Sequence, residues 1–218
     1  LTEEVKSILE QAAVIGARFD LELLIDIHPG QSNEVVKAIS DARQSRIIEF
    51  VERNRYAFVH NRIRQALLES LSDARTKGIH QWIAEALDKK LEEREGFSGS
   101  TLYAVAHHYA QGNIEVNRLR VYQTNKEAGI HAIEESASTE ALGFLNTALF
   151  YMPHNEVNAS LETADIARLR GTACMNTQRL RDATAAFHEA LKGVEDPIIR
   201  SEIRIQLSEL FGSRYQFT

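Results

Sequence analysis

His60, Asn61, Arg62 and Arg64 form the stretch of this chain best suited to chemistry. They follow Tyr56-Ala57-Phe58-Val59, which alternates like a short strand, and lead into a helical run through Ala66, Leu67, Leu68 and Leu71. A histidine thus stands where a strand ends and a helix begins. Helix N-termini carry unpaired N–H groups and a partial positive charge, and so attract anions such as phosphate. The same dipole disfavours an imidazolium. A neutral His60 would donate one N–H to a phosphate oxygen, while Arg64, four residues on, would supply the charge. A plainer role remains open on spacing alone, in which His60 caps the helix or packs beneath the hairpin.

Other candidates are weaker. His107 and His108 are adjacent on a predicted helix, so their side chains diverge by about 100° and make no metal clamp. One packed and one exposed histidine is expected there. Cys174 lies among small residues and reads as a buried hydrophobe, not a nucleophile. The chain contains no G-x-x-x-x-G-K-[ST], no G-x-S-x-G and no H-E-x-x-H, so none of these motif-borne activities resides in it. No metal site and no catalytic residues are expected.

The elements that must position His60 are legible upstream. Thr2 reads as an N-cap with Glu3 and Glu4 in the first turn. Val5, Ile8, Leu9, Ala12 and Ala13 then recur at helical spacing until Gly16. Phe19, Leu21, Leu23, Leu24 and Ile27 predict a second helix, capped by Asp20 and ended before Pro29-Gly30. Ser32 opens a third, with Val35, Val36, Ala38, Ile39 and Ala42 as its buried face. The period then changes. Residues 47–51 and 56–59 are strand-like about an Arg53-Asn54-Arg55 turn. Three helices and a β-hairpin are the winged-helix plan. A helix over about 60–72 follows, then one with Ile79, Ile83, Ala86, Leu87 and Leu91 as its apolar face and Trp82 beside it. Lys89 to Ser100 is the best linker candidate.

The remainder repeats. Ala141, Phe144, Leu145, Ala148 and Leu149 match Ala183, Ala186, Phe187, Ala190 and Leu191 at an offset of 42 residues, and Gly129 falls on Gly171 at the same offset. The pattern resembles tetratricopeptide-like helix pairs, whose period is about 34 residues. A longer loop near Pro153-His154-Asn155 would absorb the excess. The fold expected is mainly α. A winged-helix domain with a small β-hairpin spans 1–76, a helical connector 77–112, and a tetratricopeptide-like solenoid 113–218.

Bulk properties narrow the function. The net charge is -6 over 218 residues, which argues against a generic nucleic-acid or acidic-membrane partner. Residues 43–64 are locally basic, with six arginines against two glutamates. Residues 1–76 hold 10 basic and 12 acidic side chains, so no domain-wide basic footprint exists. The single cysteine fits a reducing compartment. No run of about 20 apolar residues is present, and a cytoplasmic location is expected. Because the chain begins at Leu1, inside an amphipathic pattern, it reads as a piece of a longer protein.

Four blocks in order carry a family resemblance. They are Gln11-Ala-Ala-Val-Ile-Gly-Ala-Arg-Phe19-Asp-Leu21, Tyr56-Ala-Phe-Val-His-Asn-Arg-Ile-Arg-Gln-Ala-Leu-Leu68, Arg75 to His80-Gln-Trp-Ile-Ala-Glu-Ala-Leu87, and Ala106-His-His-Tyr109. With these the chain resembles the bacterial predicted-ATPase branch of the STAND signalling NTPases. That resemblance implies a P-loop ATPase core upstream and repeats that sense a protein partner or inducer. It also implies ADP or ATP as the ligand of the whole protein, with no cofactor held by this part alone. Such proteins are often fused to protein kinases, histidine kinases, nucleotide cyclases or DNA-binding output domains. In related switches, a Met-His-Asp motif after the winged-helix hairpin contacts the β-phosphate of ADP. Val59-His60-Asn61 stands at the matching place, so His60 would sense the phosphate. Asn61 replaces the aspartate, which removes a charge. Two rival readings remain: a DNA-binding winged-helix regulator, and a non-catalytic interaction scaffold.

Overall fold

The computed structural model describes residues 2–92, 98–153 and 159–215. Among these residues, eleven helices and one three-stranded antiparallel sheet make the fold mainly helical. Two compact units result. The first comprises residues 1–97 with His107–Asn113, and the second Ser98–Ala106 with residues 114–218.

In the first unit α1 (Glu3–Ile15) begins as its sequence requires. Thr2 Oγ1 accepts from the Val5 N–H at 3.3 Å. Its buried stripe, with Leu9, Ala12 and Ala13 fully enclosed, meets Leu24, Val35 and Ile39 in one core. Phe19 corrects the expected second helix: Arg18–Asp20 is a strand, β1, and α2 is confined to Leu21–Asp26. Asp20 is nonetheless the N-cap, with its carboxylate accepting from Glu22 N–H at 2.8 Å. α3 covers Ser32–Gln44, and Val36, expected inside, is 48% exposed. Strands β2 (Ile48–Glu52) and β3 (Arg55–Phe58) pair about a turn in which Arg53 has φ 42°. β3 is central, since β1 pairs on its other edge with Phe19 opposite Tyr56. Phe19 stacks on Tyr56 and tilts against Phe58, which fixes the end of β3 to the core. α4 (Asn61–Glu69) is shorter than the expected 60–72. α5 (Asp73–Glu92) sends Ile79 and Ile83 into the same core, while Trp82 is 50% exposed.

α6 (Gly99–Gln111) belongs to the second unit up to Ala106 and to the first from His107. The second unit continues with α7 (Ile114–Glu134), α8 (Ser138–Tyr151), α9 (Ala159–Asn176), α10 (Leu180–Gly193) and α11 (Pro197–Tyr215). The 42-residue repeat is geometric as well as compositional. The α7–α8 turn closes with Ala137 N–H donating to Ala132 O at 2.8 Å, and the α9–α10 turn with Arg179 N–H donating to Cys174 O at 2.8 Å. Both are six-to-one helix ends through a left-handed residue, Ser136 at φ 63° and Gln178 at φ 59°. Glycine is the usual occupant because a Cβ is strained there. We expect Ser136→Gly and Gln178→Gly each to raise stability by about 0.5–1 kcal/mol in urea unfolding, the relieved strain exceeding the added unfolded-state entropy. The middle of the expected linker, 93–97, and residues 154 and 155 of the expected long loop lie outside the described residues.

Candidate functional site

β3 ends at Phe58, and Val59 N–H still bonds to Ile47 O at 3.0 Å. The chain therefore leaves the sheet in a fixed direction before His60. His60 is the N-cap residue of α4, with extended backbone (φ −131°, ψ 129°), and its side chain does not cap the helix. It is exposed, as are Asn61 and Arg62. The packed and capping roles left open by spacing alone are therefore not adopted. The α4 N-terminus presents imidazole, carboxamide and guanidinium to solvent together.

Arg64 is placed differently. It is half-buried, and its Nε donates to Ala13 O at 2.9 Å, near the C-terminus of α1. A cation there satisfies a carbonyl that the helix end leaves open and complements its dipole. Arg64 thus ties α4 to α1, and its guanidinium is partly committed to that contact.

Two clusters were not legible in the sequence. Within the first unit, His80 Nδ1 and His108 Nδ1 are 2.8 Å apart, so one ring donates and the other accepts. His108 is buried and His107 exposed, as adjacency on a helix requires. Burial first, and the neighbouring histidines second, lower His80 to about 4 and His108 to about 3. Within the second unit, Tyr122 and Lys126 both donate to Glu162 Oε2, and Lys126 also meets Asp165 at 3.0 Å. Arg168 completes the row, 2.8 Å from Asp165. The Lys126 and Tyr122 hydrogen bonds hold the Glu162 carboxyl below its usual range. Burial works against charge on Lys126 and Asp165. Their partners outweigh it, raising Lys126 and lowering Asp165. Interhelical partners 28 and 36 residues apart leave no periodic trace.

Cys174 is buried, and desolvation pushes its thiol up, away from a reactive thiolate. Among the described residues no group of three or more His, Cys, Asp or Glu side chains could hold a metal ion. No helix among them is long and apolar enough to cross a membrane. Comparison with protein-family models, with curated proteins and with solved structures finds no match to this chain.

Proposed function

We propose that this chain is the regulatory and protein-interaction part of a STAND-type signalling ATPase. In this reading the first unit is a winged helix that closes over ADP held by an ATPase core elsewhere in the protein. The second unit is a tetratricopeptide-like array that receives a partner protein or inducer. The observation that carries the reading is the exposed, uncapped imidazole of His60 at the β3–α4 junction. A helix N-terminus favours a phosphate there, and an imidazole N–H can donate to its oxygens. Asn61 adds a carboxamide on the same turn. Arg64 contributes mainly by holding α4 on α1 through Ala13. The repeated helix pairs support the interaction role, because each stacks on its neighbour and leaves an extended surface for a partner.

The two signalling states would differ in whether His60 touches ADP, and that differential contact is what biases a switch. The test is His60→Ala in the protein carrying its ATPase core, with ADP release followed by a fluorescent analogue. Loss of one hydrogen bond to a charged phosphate corresponds to about tenfold weaker ADP retention. Retention equal to wild type would remove the sensor role and leave the plain interaction scaffold.

A further inference from the structure

The first unit holds a second polar feature that the His60 reading does not use. Between α1, α5 and the turn after α2 lies a pocket of about 470 Å³ lined by Ser7, Gln11, His28, Arg75, Ile79 and Trp82, among others. Its size is that of a small-molecule site. Gln11 is only 3% exposed, and its Oε1 has no hydrogen-bond partner. His28 Nε2 is likewise buried without a partner. A buried polar atom left unpaired costs about 1–3 kcal/mol. Two at one pocket mark an incomplete hydrogen-bonding set.

The remaining walls define what would complete it. Trp82, half exposed, lines the pocket with its indole, and Ile79 is buried one turn before it on α5. Arg75 is the pocket's cation, but its charge is already answered. Its Nη2 lies 3.2 Å from the buried Glu10 carboxylate and donates to Ser7 Oγ at 2.8 Å. A pocket whose cation is neutralised does not call for an anion. Burial lowers the His28 imidazole's pKa, against the Gln31 side chain, which raises it. The site therefore combines a flat apolar wall with one acceptor and one imidazole nitrogen at depth.

We propose that this pocket binds a neutral, planar nitrogen heteroaromatic, such as a nucleobase, which donates an N–H to Gln11 Oε1, bonds His28 Nε2 and stacks on Trp82. His60 does not line this pocket, so the site is separate from the phosphate-sensing junction.

Trp82 is the chain's single tryptophan, and its fluorescence therefore reports this site alone. The whole 218-residue chain is titrated with adenine and with benzimidazole, and toluene serves as an apolar control. Saturable quenching by the two heterocycles, but not by toluene, is the result expected. Gln11→Leu should weaken it about tenfold, the equivalent of one hydrogen bond, while His60→Ala leaves it unchanged. Gln11→Leu should also leave the melting temperature of the free protein equal or higher, because it removes an unpaired buried acceptor. Two outcomes overturn the proposal. One is non-saturable quenching by adenine and benzimidazole alike. The other is a Gln11→Leu protein that melts earlier yet binds as tightly as wild type, which would make Gln11 a packing residue.

Discussion

Gly171→Ala should destabilise the chain by about 2 kcal/mol, although alanine is the better helix former. In α9 the exchange gains about 0.5–1 kcal/mol of backbone entropy. The added Cβ, however, would sit 2.5 Å from Cδ1 and Cε1 of Phe187 on α10. Phe187 is fully buried, so its ring has nowhere to retreat, and overpacking of this kind costs about 1–3 kcal/mol or more. The counterpart in the preceding pair is Gly129, where a Cβ would meet Leu145 Cγ at 2.6 Å. Gly129→Ala should therefore be costly as well, though an aliphatic side chain yields more readily than a ring. A double-mutant cycle separates contact from propensity. Phe187→Ala alone should cost about 3–5 kcal/mol through the cavity it leaves. In that background Gly171→Ala should be neutral or stabilising, because the ring that opposed it is gone and the helix preference remains. Urea unfolding of the four proteins gives the coupling directly. An equal loss from Gly171→Ala in both backgrounds would show that the close helix approach is not what requires glycine.

That glycine was visible in the sequence, and the reason shows what sequence can carry. The 42-residue offset places Gly129 on Gly171 and Leu145 on Phe187, so each small residue is registered against a large one on the next helix. Periodic and repeated features of this kind are written into residue spacing. So is the α1 N-cap at Thr2, because a cap and its first turn are local. Phe19 carries no strand signal of its own, because a three-residue strand is too short to show alternation. Its place in the sheet is decided by Tyr56, 37 positions away in register. Val36 sits at helical spacing with the α3 core face, yet it falls beyond the edge of the stripe that α1 covers. The placement of His60 at a strand–helix junction was legible, since the change of period marks it. Its exposure was not, nor was the diversion of Arg64 to Ala13. Both depend on how α4 lies against α1, a tertiary fact with no counterpart in local pattern. The unpaired Gln11 Oε1 is hidden for the same reason. On α1 it reads as one more residue of a buried face.

Acidification should destabilise the first unit well before the carboxylates of the chain are protonated. His80 and His108 share one hydrogen bond between Nδ1 atoms, an arrangement that requires at least one ring to remain an acceptor and therefore neutral. Their folded values, about 4 and about 3, lie below the unfolded value near 6.5. Below pH 6.5 the unfolded chain therefore binds more protons than the folded one, and stability must fall as pH falls. Above 6.5 both states are neutral and the contribution is constant. The loss should build between pH 6.5 and about 4, reaching on the order of 2 kcal/mol by pH 5 once the partial exposure of His80 is allowed for. Glu162 and Asp165 in the second unit act in a different window. Their carboxyls are held low, so their contribution is present above the usual carboxylate value and is lost only as pH falls below it. The two effects are separable by mutation. His80→Leu with His108→Leu removes both titrating rings together, leaving no unpaired partner behind. Melting temperature measured from pH 7.5 to 4 should fall steeply in wild type and remain nearly flat down to about pH 4.5 in the double variant. His107, exposed beside them, supplies the internal control. His107→Leu should leave most of the wild-type pH dependence in place, because burial, and not the His107 charge, is the larger cause of both shifts. If it flattens the profile as the double variant does, the buried pair is not the origin of the acid lability.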